Sequence, residues 1–253
     1  MPRLLPLFFL MTTHAAFADT TGSLIVVGGG KTNPVIVSET LKLAGGGNAR
    51  AAILPQASEV PDTGEKSAAM WREAGAAGAE VVDLKKPDEA RAKLTNATLI
   101  WMPGGDQNKL AQALREAGMI ELMRERLASG AVIGGTSAGA AVMSALMITG
   151  EADLGSVSPK AVELAEGLGL WPEVIVDQHF LKRQRFNRLL SAVLAHPEKI
   201  GVGIDEGTAV VVTAKGWRVI GASQVLLIQA QDKEKCRHQI HLLQPGDTWP
   251  LTP

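Results

Sequence analysis

The chain has 253 residues, 46% hydrophobic and 20% charged, which is enough apolar material for one sizeable core and the balance of an ordinary globular protein. A formal net charge of −1 with both signs interspersed leaves no basic footprint for nucleic acid and no acidic tail, so the expected partner is a small molecule or a peptide. The lone cysteine, Cys236, excludes an intramolecular disulfide, and with no His or Cys at ligand spacing neither a metal nor another cofactor is expected.

At the N-terminus, Arg3 precedes an apolar run over residues 4–11, and Ala16-Phe17-Ala18 follows at the spacing of a signal peptidase site. Residues 1–18 therefore read as a signal peptide cleaved after Ala18, and the mature protein as secreted or periplasmic. The run is far shorter than the roughly 18 to 20 apolar residues that span a bilayer. Later apolar runs are cut by Gly, Pro and charges, so no membrane association is expected after cleavage. Residues 19–253 show no repeat, linker or low-complexity segment and read as one domain.

From residue 24 onward, short apolar runs alternate with longer amphipathic stretches, the pattern of βα units feeding a parallel sheet. Strands are expected at 24–27, 50–54, 80–84, 98–102 and 131–133. Helices are expected at 35–44, 63–77, 88–94 and 108–128, the last broken at Gly118. The C-terminal runs 201–204, 208–212, 217–220 and 225–229 are separated by very short turns and read as antiparallel strands extending the same sheet. The fold class is α/β, a doubly wound and mostly parallel sheet with antiparallel C-terminal strands.

The glycine run Gly28-Gly29-Gly30-Lys31-Thr32 invites a phosphate-loop reading and fails it on spacing. A P-loop needs Gly where Ile25 stands, and a dinucleotide fingerprint needs Gly where Asn33 stands. It reads as a tight strand-to-helix turn. Gly135-Thr136-Ser137-Ala138-Gly139 fits G-x-S-x-G between the run 131–133 and a helix-like stretch at 140–147. In that context the small neighbours allow a sharp reversal that exposes the Ser137 hydroxyl, and the following backbone N–H faces a developing oxyanion.

A serine nucleophile needs a base. Of five histidines, His14 lies in the leader, His196 precedes Pro197 at a helix end, and His238 and His241 lie in a polar C-terminal strand. His179 closes the apolar segment Val174-Ile175-Val176-Asp177-Gln178 just before a new helix, where α/β sheets place their sites. The acid that orients it is Asp205 or Glu206, which the pattern does not distinguish. Asp177 is too near in sequence to reach the ring from an extended strand. The order Ser, His, acid differs from that of α/β hydrolases and argues for convergent chemistry in another family.

The blocks Pro103-Gly104-Gly105-Asp106-Gln107, Gly135-Thr136-Ser137-Ala138-Gly139-Ala140-Ala141, Asp177-Gln178-His179-Phe180 with Arg183, Arg185 and Arg188, and Gly203-Ile204-Asp205-Glu206-Gly207-Thr208-Ala209 together resemble the cyanophycinase family of serine peptidases, related to the aspartyl dipeptidase peptidase E. The resemblance runs in order from residue 24 to 228. It implies a triad of Ser137, His179 and Glu206, an α/β fold that commonly dimerises, and a substrate pocket lined by Gln107, Asp177, Gln178, Arg183, Arg185 and Arg188. It further implies hydrolysis of the aspartate backbone of cyanophycin, whose β-carboxyls carry arginine, to β-aspartyl-arginine. The chain departs from the pattern at Gly29-Gly30-Lys31-Thr32, where acidic residues are usual.

The combined expectation is an exported serine-type peptidase acting through an acyl-enzyme, with the Gly105 and Ala138 amides as oxyanion hole. An aspartyl or isoaspartyl dipeptidase needs the same triad with a pocket closed at one end, and a periplasmic binding protein would keep the fold without turnover. A class I glutamine amidotransferase would need cysteine at the elbow. Phe186, Leu189, Leu190, Val193 and Leu194 recur at helical spacing, a wheel that turns Arg188 away from the core, sets Arg185 at its border and leaves Arg183 at the helix start, nearest His179.

Overall fold

The computed structural model describes residues 20–232 and 237–250; the leader expected at 1–18 and Cys236 lie outside them. β1 (Ser23–Val27) is buried along its length, and its side chains alternate between two cores, Leu24 and Val26 entering one and Ile25 and Val27 the other. A strand apolar on both faces needs cover on both. β2 (Arg50–Ile53), β3 (Gly78–Val81), β4 (Leu99–Met102) and β5 (Val132–Thr136) run parallel with it in the order β1-β5-β4-β2-β3. α1 (Pro34–Leu43) and α2 (Thr63–Glu73) cover one face through Ile36, Ala68 and Trp71. α3 (Pro87–Asn96), α4 (Gln107–Glu116) and α5 (Ile120–Ala128) cover the other through Leu94, Leu110, Leu114 and Met123. The expected doubly wound sheet is present.

Local signals set the helix ends. Asn33 accepts a hydrogen bond from the Val35 N–H ahead of α1, and Asp106 accepts from the Asn108 and Lys109 N–H groups ahead of α4. Gly118 separates α4 from α5 as expected. α2 stops at Glu73, short of the expected residue 77, because Gly75 and Ala76 donate back to the Arg72 and Trp71 carbonyls, a Schellman ending. β3 then begins at Gly78, two residues before the strand read from the sequence.

The C-terminal strands divide. β10 (Thr208–Thr213), β11 (Gly216–Gly221) and β14 (Thr248–Trp249) extend the main sheet antiparallel beside β1. β9 (Ile200–Ile204) and β12 (Val225–Asp232), expected in that sheet too, instead join β8 (Val174–Gln178) and β13 (Arg237–Leu243) in a second sheet ordered β13-β12-β9-β8. The reason is α7 (Phe186–Ala195), which lies between β8 and β9 in sequence and makes their pairing a parallel crossover. Val174, Val176, Val202 and Ile204 face the main core, whereas Ile175 packs with Leu189, Ala192 and Val193 of α7.

The helix expected at 140–147 is also replaced. α6 (Ala138–Ala141) is one turn long, and β6 (Leu146–Ala152) follows, paired with β7 (Val162–Glu166) as a hairpin. The carbonyls of Val142, Met143, Ser144 and Ala145 accept from the amides of Leu168, Trp171, Gly169 and Gly167, so the segment downstream takes the acceptors a continuing helix would need. Tertiary pairing overrides helical composition.

Gly203 of β9 faces Phe180, whose ring would lie 2.6 Å from an added Cβ. Gly203→Ala is expected to destabilise the fold by about 1–3 kcal/mol, the usual range for overpacking a filled core, read as a lower urea midpoint at unchanged slope. An unaltered midpoint would show that this contact yields freely.

Candidate active site

Ser137 stands where β5 ends. Its N–H donates to the Val27 carbonyl, and its own carbonyl accepts from Ala140 and Ala141 to open α6. The reversal forces φ 56 and ψ −114 on Ser137, a sparsely populated conformation for a residue with a side chain. The flanking glycines make room for it: a Cβ at Gly139 would lie 2.0 Å from the Met102 carbonyl oxygen. The Ala138 and Gly105 amides make no internal hydrogen bond among the described residues.

His179 leaves β8 with φ 50, its N–H donating to the Gly28 carbonyl at 2.6 Å. Ser137 Oγ lies 2.9 Å from His179 Nε2, and Nδ1 lies 2.5 Å from Glu206 Oε1. With the proton on Nδ1, that nitrogen donates to Glu206 and Nε2 accepts from the serine hydroxyl, the arrangement that makes a serine nucleophilic. Asp205 is turned elsewhere, accepting from the Lys182 N–H and the Ser223 hydroxyl, so the two acids that the sequence left indistinguishable have separate jobs. His196 pairs with Glu198, and His241 packs edge-to-face against Trp249, both away from Ser137.

Gly29, read from the sequence only as part of a turn, lies under the imidazole. A Cβ there would fall 2.3 Å from the His179 ring, and Gly207 N–H donates to the Gly29 carbonyl. The glycine run thus forms the surface against which ring and carboxylate close.

Beside Ser137 opens a cleft of about 490 Å³ that reaches Gly105, Gln107, Gln178, Arg183, Arg185 and Arg188. Asp177 does not line it. Its carboxylate is wholly buried, forked onto Arg188 through Nε at 2.8 Å and Nη2 at 2.5 Å, with Arg185 Nη1 at 3.8 Å. This corrects two expectations. Asp177 is the counter-ion behind the cleft, and Arg188, expected to face away from the core, is 3% exposed. The helical wheel misplaces it because α7 is also covered by the β6–β7 segment, which offers Arg188 the Gly150 carbonyl at 3.4 Å and holds Asn187 through Leu154. A buried guanidinium is tolerable where a carboxylate meets it in such a fork.

Arg185 donates to the Gln178 carbonyl and Oε1. Burial and the neighbouring Arg188 pull its pKa down from the ordinary guanidinium value to about 10, which leaves it charged at neutral pH. Arg183 precedes α7 in a turn and is exposed, with no ion-pair partner among the described residues. Gln107 Nε2 donates to the Ile148 and Thr149 carbonyls, both at 2.7 Å, tying the hairpin to α4. Asn108, Thr149 and Glu163 also reach the cleft; Thr149 and Glu163 escape the sequence because residues 148–173, which hold most of the hairpin, give it no strand signal. Among the described residues no three His, Cys, Asp or Glu side chains converge as a metal site.

Burial pushes His179 below the ordinary imidazole value; the Glu206 hydrogen bond and charge oppose this, and Arg183 and Arg185 reinforce it. The ring is thus held in its neutral, proton-accepting form near pH 7. Arg183→Gln removes a positive charge that disfavours the imidazolium, so the histidine pKa rises. The acid limb of kcat/KM on a neutral ester is expected to move to higher pH, less so in high salt. A limb that stays fixed or moves to lower pH would contradict this electrostatic reading.

The family model "Peptidase family S51" matches residues 24–220. Curated proteins named cyanophycinase align over most of the chain. That of Trichormus variabilis is 37% identical over 90% of this chain and 79% of its own length, and that of Geminocystis herdmanii is 36% identical over 90% and 93%. Among solved structures, a peptidase from an acI-B1 Actinobacterium superposes with TM-score 0.72 at 24% identity, covering 92% of this chain and 98% of that one. A putative peptidase E protein from Listeria monocytogenes gives TM-score 0.60 at 21% identity over 80% and 99%; at these identities the two structures speak for the fold alone. With family model and curated relatives in agreement, this chain belongs to peptidase family S51 and is a serine-type peptidase of the cyanophycinase kind.

Proposed function

We propose that the protein is an exported cyanophycinase that hydrolyses the aspartate backbone of cyanophycin to β-aspartyl-arginine dipeptides through an acyl-enzyme on Ser137. The observation that carries the mechanism is the unbroken relay Ser137 Oγ, His179 Nε2, His179 Nδ1, Glu206 Oε1, at 2.9 and 2.5 Å, on a serine held in a strained turn. The substrate class rests on the relatives' name and on the cationic cleft, and export on the leader pattern at residues 1–18.

In this reading His179 Nε2 takes the Ser137 proton as Oγ bonds to the backbone carbonyl carbon of an aspartyl residue. Glu206 stabilises the imidazolium, and the Ala138 and Gly105 amides receive the oxyanion. The imidazolium then protonates the departing amine as the C–N bond breaks, leaving an ester on Ser137. A water, deprotonated by His179, hydrolyses that ester and restores the hydroxyl. Gln178, Arg183, Arg185 and Arg188 form the cationic substrate wall, with Gln107 and Asp177 holding it in place.

An aspartyl dipeptidase would use the same relay, so products decide between the readings. Purified protein is expected to release β-aspartyl-arginine from cyanophycin, identified by mass spectrometry, and Ser137→Ala to lower kcat by roughly four to six orders of magnitude with unchanged circular dichroism. Hydrolysis of aspartyl dipeptides with cyanophycin left intact would overturn the substrate assignment.

A further inference from the structure

The β6–β7 hairpin forms a wall of the cleft, and beyond the Gly150 carbonyl that Arg188 meets, neither the relay nor the arginines use it. Along β7 the side chains alternate: Val162 and Leu164 pack toward α7, while Glu163 and Ala165 line the cleft with Ser137, Arg183 and Arg185. Glu163 carries a carboxylate that has no hydrogen-bond or ion-pair partner among the described residues. The other carboxylate lining the cleft, Asp106, is engaged as the cap of α4, and Asp177 is buried behind Arg188. The cleft therefore presents an open cation, Arg183, and an open anion, Glu163.

That pair matches a dipolar ligand. An arginine joined through its α-amine to an aspartyl β-carboxyl keeps two charged groups, an α-carboxylate and a guanidinium. The arginine wall suits the first, because guanidinium groups fork onto carboxylates, and a carboxylate suits the second by the same geometry reversed. The hairpin is fixed relative to the reaction centre, since Gln107 and Asn108, which follow the Gly104-Gly105 loop, donate to the Ile148 and Thr149 carbonyls, and Thr149 Oγ1 donates to the Glu163 carbonyl. Ala165 leaves space beside Glu163, and about 490 Å³ accommodates a side chain of this size.

Building on the cyanophycin reading above, we propose that Glu163 is the specificity residue for the substrate's arginyl side chain, accepting its guanidinium while Arg183 meets its α-carboxylate. The test uses oligomers of β-aspartyl-arginine and otherwise identical oligomers carrying citrulline, whose ureido group keeps the shape but lacks the positive charge. The wild-type protein is expected to prefer arginine, and Glu163→Gln to lower the arginine-to-citrulline ratio of kcat/KM about tenfold or more, with circular dichroism unchanged because the side chain is exposed. A ratio within about twofold of wild type, on oligomers the wild type cleaves, would overturn the assignment of Glu163 and leave the cyanophycin reading standing. Failure of the wild-type protein to cleave the arginine oligomer would overturn both.

Discussion

The imidazole of His179 has to reach two hydrogen-bond partners borne by different parts of the chain, and the architecture follows from that demand. Ser137 ends β5 of the main sheet, His179 ends β8 of the second sheet, and Glu206 sits in the corner where the chain passes from β9 to β10, from one sheet to the other. Backbone bonds fasten this seam: His179 N–H to Gly28, Phe180 N–H to Ile204, Gly28 N–H to Thr208 and Gly207 N–H to Gly29. Each ties a segment at the end of one strand to a segment at the end of another, so the relay is held by main chain and not by side-chain packing alone. Loops carry the reacting groups while rigid elements on both sides set their positions.

A second constraint is charge. Concentrating Arg183, Arg185 and Arg188 beside a histidine proposed to act in its neutral form requires that the burial of Arg185 and Arg188 be compensated. Asp177 does this from within, and Gln178 holds Arg185 by its carbonyl and side-chain oxygen. Arg183 and Arg185 lower the proton affinity of His179 while Glu206 raises it, so groups proposed to bind substrate also poise the proposed base. Removing Asp177 would strand a buried guanidinium and damage fold and site together.

The parallel half of the fold was legible because its signals are local. Apolar runs flanked by Gly, the cap at Asn33, the break at Gly118 and the elbow around Ser137 all report on the residues that carry them. His179 emerged by elimination, since few histidines leave an apolar strand. The second sheet was not legible: β9 looks like β10 in composition, and only the crossover helix α7 decides that β9 pairs parallel with β8. The hairpin was hidden for a similar reason, its approach segment having helical composition while its carbonyls are claimed by residues 167–171. Arg188 was misread because a helical wheel knows of one covered face, and α7 has two. Gly29 illustrates the converse, a glycine whose purpose lies 150 residues away at His179.

The proposed chemistry depends above all on Ser137 being a nucleophile driven by His179. Treatment with a phosphonyl fluoride, followed by intact-mass measurement and peptide mapping, tests it most directly, because attack by an activated hydroxyl forms an O–P bond and releases fluoride. The expected result is a phosphonyl adduct located on Ser137, formed far more slowly in His179→Ala. Absence of an adduct at Ser137, or labelling of His179→Ala at the wild-type rate, would contradict it.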